Sequence, residues 1–213
     1  MRLIGADITI ERGGRRLFSG LSFTASAGAA LIVTGPNGAG KSSLLRAIAG
    51  LLRVAAGEIR LEGGDAEQSL GEQAHYLGHA DALKGALTAG ENLTFWAAML
   101  GADGAPTAPL SVAAALERVG LAHVMHFPVA ALSAGQRRRV ALARLLVAYR
   151  PLWLLDEPTA ALDAAAQGRF GEIMRGHLAA GGLIVAATHA PLGLAGEELK
   201  LGVAELADRK SVV

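Results

Sequence analysis

Between a short apolar run, Ala29–Thr34, and a helix-like pattern lies Gly35-Pro36-Asn37-Gly38-Ala39-Gly40-Lys41-Ser42. Its spacing, Gly-x4-Gly-Lys-Ser, is that of a phosphate-binding loop placed between a buried strand and a helix. Glycines let backbone N–H groups close around phosphate oxygens, and the start of the next helix adds its positive dipole end. In such a loop Lys41 is expected to reach the β- and γ-phosphates, and the Ser42 hydroxyl to bind Mg²⁺. The chain has 28 Gly, 4 Lys and 17 Ser plus Thr among 213 residues. Random placement at those frequencies would give roughly 0.005 matches to the pattern. A ligand-free glycine turn is therefore a poor account of the segment. The loop predicts a nucleotide without saying which class of NTPase holds it.

A second acidic element supports this reading. Leu152-Trp153-Leu154-Leu155-Asp156-Glu157 reads as a buried strand ending in two acids. The carboxyl ends of strands are where open α/β sheets bind ligands. Asp156 is the natural second Mg²⁺ partner, and Glu157 is placed to orient and deprotonate a water. Successive strand residues face opposite ways, so the two acids need not compete for one task.

The rest of the chain fits an α/β domain. It is 52% apolar, 18% charged and carries a formal net charge of +1. That is enough apolar material for a sizeable core, and it provides no overall field toward nucleic acid or anionic lipid. No Cys is present, which excludes disulfides and thiolate chemistry. Met1 to Asp7 lacks the apolar core of a signal peptide. The uncharged stretches Leu17–Gly40 and Leu178–Gly196 are too rich in polar and small residues to read as membrane spans.

Strands are expected at Leu3–Glu11, Leu21–Thr24, Ala29–Thr34, Glu58–Leu61, Leu152–Leu155 and Leu183–Ala187. Helices are expected from Lys41 to Gly50, from the capping box Thr88-Ala89-Gly90-Glu91 to about Leu100, near Val112, and over Gln136–Tyr149. Gly101–Pro109 reads as a loop, and signals after Pro191 are weak. Alternating strands and helices imply a largely parallel sheet. The expected fold is a single α/β domain over 1–213: a P-loop NTPase core with a mixed, largely parallel sheet. It has an N-terminal antiparallel part and a helical insert at about 87–132.

Leu132-Ser133-Ala134-Gly135-Gln136, continuing through Arg137-Arg138-Arg139-Val140-Ala141-Leu142-Ala143-Arg144, resembles the Leu-Ser-Gly-Gly-Gln signature of ABC ATPases. The resemblance implies that Ser133, Ala134, Gly135 and Gln136 close over the γ-phosphate held by a second copy of the chain. Small residues at a helix start also make an anion site on physical grounds. The three consecutive arginines could form a nucleic-acid patch, but the bland reading, a solvated helix face, is preferred at this net charge. Ala161-Leu162-Asp163 resembles the family's D-loop, which crosses the dimer interface. Thr188-His189 resembles the switch histidine that contacts the γ-phosphate, so the resemblance pairs His189 with Glu157 in catalysis. Gly35 through Ser43 would hold ATP, with Ser42 and Asp156 on Mg²⁺.

Two positions depart from the family pattern. In Tyr76-Leu77-Gly78-His79-Ala80-Asp81, His79 stands in the register of the Q-loop Gln, so the resemblance implies that it joins the ATP site, its imidazole hydrogen-bonding a water near Mg²⁺. Arg12 stands where an adenine-stacking aromatic is usual, and a guanidinium can stack on a purine face. Leu17–Phe23, Leu77–His79, Lys84, Leu87–Leu93 and Pro151–Pro158 look like one branch of the family, the ATP-binding subunit of the bacterial cytochrome c maturation haem exporter. That branch implies a homodimer of ATPase subunits on the cytoplasmic face of the inner membrane. It also implies integral membrane subunits of the CcmB/CcmC kind, a periplasmic haem chaperone served indirectly, and no nucleic acid. The alternatives are the ATPase of another ABC transporter for a metal, lipid or small molecule, or a soluble ABC ATPase of translation or DNA repair.

Overall fold

The computed structural model describes residues 1–101 and 108–202. Most of the expected Gly101–Pro109 loop lies outside the described residues. Two sheets form the frame. The first is antiparallel, with β1 (Arg2–Arg12) between β2 (Arg15–Ser26) and β4 (Ala56–Glu62). The second is wholly parallel, in the order β5-β6-β7-β3-β8, with β3 at Ala30–Thr34, β5 at Ala74–Leu77, β6 at Leu152–Asp156, β7 at Leu183–Ala187 and β8 at Gly196–Lys200.

Strands β6 and β7 are buried along their whole length because both faces of the parallel sheet are covered. This explains why they read as unbroken apolar runs rather than alternating ones. The side-chain period of two then divides each strand between two cores. Leu152, Leu154, Leu183 and Val185 pack with Leu44, Leu45 and Ile48 of α1 (Lys41–Ile48). Trp153, Leu155, Ile184 and Ala186 face the opposite way, in one core with Leu142 and Leu145 of α4 (Ala134–Val147) and Phe170 and Met174 of α5 (Ala164–Ala179).

Between β5 and α4 lie α2 (Ala89–Leu100), α3 (Val112–Arg118) and two 3₁₀ turns, Ala122–Val124 and Val129–Ala131. The capping box at α2 forms as read: Thr88 accepts from the Glu91 N–H, and Glu91 accepts from the Thr88 N–H. Among the described residues no helix is long and apolar enough to cross a membrane.

Three elements were not anticipated. Helix α5 contains Gly168, Gly171 and Gly176, each of which weakens a helix by about 1 kcal/mol relative to Ala. Burial of Ala166, Phe170, Ile173, Met174 and His177 along one stripe, and the Asp163 cap on the Ala166 N–H, outweigh that penalty. Strand β5 has only four residues. Strand β8 reads Gly-Glu-Glu-Leu-Lys and is mostly exposed, which suits a charged edge strand but gives little strand signal.

Candidate active site

The phosphate loop leaves β3 and enters α1 as expected, and its backbone geometry explains its glycines. Gly35, Gly38 and Gly40 have φ of 138°, 83° and 100°, a region open to glycine but rarely to other residues. A side chain at Gly35 would overlap the Leu201 carbonyl oxygen, and one at Gly40 would lie 2.8 Å from the Phe18 ring. Gly40 is also the N-cap of α1 and provides no side-chain cap. The first N–H groups of that helix therefore receive no side-chain partner at the loop.

Beside the loop is a cavity of about 320 Å³ lined by Lys41, Ser42, Asp156, Glu157, His189 and Arg12, among others. Parallel pairing of β3, β6 and β7 carries these groups to one end of the sheet from positions far apart in the chain. Lys41 is buried, and its Nζ donates to the carbonyls of Gly35 at 2.7 Å and Pro36 at 3.1 Å. The same Nζ stands 3.0 Å from His189 Nε2, which is also 3.1 Å from Asn37 Oδ1. Ser42 Oγ donates to Asp156 Oδ1 at 3.0 Å. His189 Nε2 is 3.8 Å from Glu157 Oε1, and Thr188 Oγ1 donates to Glu157 Oε2 at 3.3 Å.

Glu157 differs from the sequence reading in its backbone. Strand β6 ends at Asp156, and Glu157 follows in a turn at φ 45°. The two acids are separated by this reversal, not by strand alternation. A non-glycine residue in such a region costs on the order of 1–3 kcal/mol and persists only where its surroundings hold it. The Glu157 N–H donates to Ala187 O of β7 at 2.8 Å, which anchors one side of the turn.

The other predicted residues fall in four places. Arg12 lies on the cavity wall and is exposed. Ser133, Ala134, Gly135 and Gln136 form the start of α4 and do not line the cavity. Ser133 caps that helix by accepting from the Gln136 N–H, while Gln136 accepts from the Ser133 N–H. Asp163 caps α5. His79 is exposed just after β5 and is absent from the cavity lining, so one chain does not bring it to the phosphate loop.

The solvated-face reading fails at Arg138, while Arg137 and Arg139 stay partly exposed. Arg138 is 4% exposed and is bonded within the fold. Arg137 donates to the Leu132 carbonyl, and Arg139 to those of Val119 and Gly120. Arg144 was not singled out from sequence. It is buried, donates to Tyr76 O and stacks 4.4 Å over the Trp96 ring, tying α4 to β5 and α2. Burial pushes its guanidinium down to about 10.

Residues 18–160 match the family described as ABC transporter. A cytochrome c biogenesis ATP-binding export protein CcmA of Nitrobacter hamburgensis is 59% identical over 202 residues, covering 95% of this chain and 98% of that protein. Among solved structures, a putative ABC transporter ATP-binding protein from Pyrococcus furiosus superposes with a TM-score of 0.80 at 22% identity, covering 94% of this chain and 98% of that one. A bacterial Atm1-family ABC exporter with ATP bound superposes with a TM-score of 0.77 at 27% identity, over 94% of this chain and 36% of that one.

Proposed function

The chain belongs to the ABC transporter family, and on that premise we propose that it is the ATP-hydrolysing subunit of an exporter serving c-type cytochrome biogenesis, with haem as the cargo. The convergence of Lys41, Ser42, Asp156, Glu157 and His189 on one cavity carries the hydrolytic reading. The likeness to CcmA carries the biological one.

In this reading the N–H groups of 35–43 bind the phosphates of ATP. Lys41 leaves the Gly35 and Pro36 carbonyls to meet the β- and γ-phosphates. A hydroxyl and a carboxylate in contact, Ser42 Oγ and Asp156 Oδ1, suit a small hard cation with oxygen ligands. These two residues would hold Mg²⁺, which when bound neutralises charge on the phosphate oxygens. Glu157 takes a proton from the attacking water at its carboxylate, and the Thr188 hydroxyl on Oε2 orients that group. His189, between Lys41 and Glu157, contacts the γ-phosphate. Arg12 stacks on the adenine at the cavity wall.

Ser133–Gln136 lie outside their own chain's cavity, which supports a homodimer in which each signature serves the other copy's nucleotide, with Asp163 at the interface. Membrane subunits of the CcmB/CcmC kind would dock beside the exposed His79. There Ala80, Asp81, Leu83, Val129 and Ala130 line a second hollow of about 530 Å³. The subunit would then sit peripherally on the cytoplasmic face of the inner membrane and supply the periplasmic haem chaperone only indirectly.

The test is a deletion strain assayed for holo-cytochromes c and for haem on the periplasmic chaperone. The deletion is expected to lack c-type cytochromes, and wild-type chain but not Glu157→Gln to restore them. Normal cytochromes in the deletion would defeat the haem assignment. Restoration by Glu157→Gln would defeat the hydrolytic one.

A further inference from the structure

Arg138 lies in the interior of α4, outside the cavity lining, and its guanidinium is completely used. Nε donates to Pro158 O at 3.4 Å, and Nη2 to Asp156 O at 3.0 Å and Glu157 O at 2.9 Å. Nη1 donates to Gly78 O at 2.9 Å and to Asp81 Oδ1 at 3.1 Å. A guanidinium carries five N–H donors in a fixed plane, and here each finds an acceptor. A buried cation this fully bonded is not a passenger of core packing, since an apolar side chain would fill the same space without needing partners.

The acceptors show what it holds. Asp156, Glu157 and Pro158 are consecutive; carbonyls of an extended strand alternate in direction, so for all three to meet one planar group the chain must turn as it leaves β6. The reversal is Glu157, at φ 45°, a conformation rare for residues with a side chain. Its N–H is tied to Ala187 O, its carbonyl to Arg138 and its carboxylate to Thr188. The direction of the Glu157 Cα–Cβ bond, and so the place of its carboxylate in the cavity, follows from that turn. The Gly78 and Asp81 bonds fasten the guanidinium to the segment after β5, the strand beside β6.

We infer that Arg138 is a positioning residue for hydrolysis: from outside the cavity it holds the Glu157 turn so that the carboxylate meets the attacking water. The inference rests on the assignment of Glu157 as the base. Without Arg138 the carbonyls of Asp156, Glu157 and Pro158 lose their donor and the turn relaxes toward negative φ. A displacement of the base by about 1 Å is enough to slow chemistry about a hundredfold. None of the Arg138 hydrogen bonds reaches 35–43, and the one to Asp156 goes to its backbone carbonyl at a position that β6–β7 pairing also holds, so ATP affinity is expected to change little.

The experiment measures kcat and KM for Mg-ATP on the full chain carrying Arg138→Lys or Arg138→Gln, each alone and with Glu157→Gln. Lysine keeps the charge but not the planar fork, and glutamine keeps two donors without charge. Each substitution alone is expected to lower kcat about 10- to 100-fold with KM within about twofold, the pattern of an interaction that matters in the transition state. Added to Glu157→Gln, either is expected to change the remaining rate by less than about twofold, because the group being positioned is already gone. Multiplicative losses, a raised KM with kcat intact, or full kcat in both Arg138 variants would overturn the inference. So would failure of both variants to fold, which would assign Arg138 to stability alone. Wild-type hydrolysis by Glu157→Gln by itself would remove the base assignment, and that is read without any Arg138 variant.

Discussion

Alanine substituted in turn at Gly38, Gly40 and Gly35 places the same methyl group in three different surroundings within one loop. At Gly38, φ is 83° and nothing lies within 4 Å of the added carbon, so the loss is the left-handed backbone alone, about 1–2 kcal/mol. For a chain of this size that lowers the melting temperature by roughly 2–8 °C. At Gly40 the carbon comes 2.8 Å from the Phe18 ring and 3.3 Å from Leu17 Cβ. The ring can turn aside, so crowding adds only about 1 kcal/mol. At Gly35 the carbon overlaps the Leu201 carbonyl oxygen and lies 3.2 Å from its carbon, with φ at 138°. That backbone cannot turn aside, because the Leu201 N–H donates to Thr34 O at 2.9 Å, directly beside the loop. Strain of about 1–3 kcal/mol, overpacking of about 1–3 kcal/mol and about 1 kcal/mol from the weakened bond sum to roughly 3–7 kcal/mol. This is a large part of the 5–15 kcal/mol, in order of magnitude, that holds a domain folded. Thermal and urea unfolding without nucleotide, which avoids stabilisation by the ligand, should rank the variants Gly38→Ala, Gly40→Ala, Gly35→Ala from mildest to most severe. Melting of Gly35→Ala within about 2 °C of Gly38→Ala would refute the assignment of Gly35 to close backbone approach.

The shared-site dimer predicts that Lys41→Ala and Ser133→Arg, each inactive alone, recover ATPase activity when mixed, since one heterodimer site then has both an intact loop and an intact signature; no recovery at any ratio would count against sharing. Glu157→Gln with ATP should elute as a dimer, and a monomer on sizing would speak directly against the sandwich. Burial pushes the His75 imidazole down to about 3, and its Nε2 is 2.8 Å from Ala148 O; burial likewise lowers His177, to about 4. Both rings are neutral in the fold and titrate near 6.5 when unfolded, so their contribution is fully present above pH 6.5 and is lost as pH falls toward 4. His75→Gln should therefore reduce the slope of unfolding free energy between pH 6 and 4.5 by up to about 1.4 kcal/mol per pH unit, and an unchanged slope in urea titrations would mean that His75 is already protonated in the fold. Phe170→Ala, at 1% exposure on α5, should cost about 3–5 kcal/mol in the same assay, with a smaller loss expected only if the core closes over the gap.

Much of the site was legible because its chemistry is local. The phosphate loop needs glycines at fixed spacing within eight residues, and the Thr88 capping box needs a hydroxyl and a carboxylate three residues apart; both form as read. The buried strands β6 and β7 announced themselves as short apolar runs. What the sequence left open depends on direction and on distant partners. Arg137, Arg138 and Arg139 are identical letters, but successive helix positions differ by about 100° around the axis, and only packing on β5 and β6 turns Arg138 inward to five acceptors. The turn at Glu157 cannot be inferred from Asp-Glu-Pro, since a positive φ in a non-glycine residue is imposed by Ala187 and Arg138, 30 and 19 positions away. Helix α5, with its three glycines, and the charged strand β8 both run against local preference and are held by the surfaces they cover or join. Local spacing fixes a turn or a cap because its partners are covalently near. Contacts such as Lys41 with His189, 148 residues apart, exist only once the order of the strands has brought their ends together.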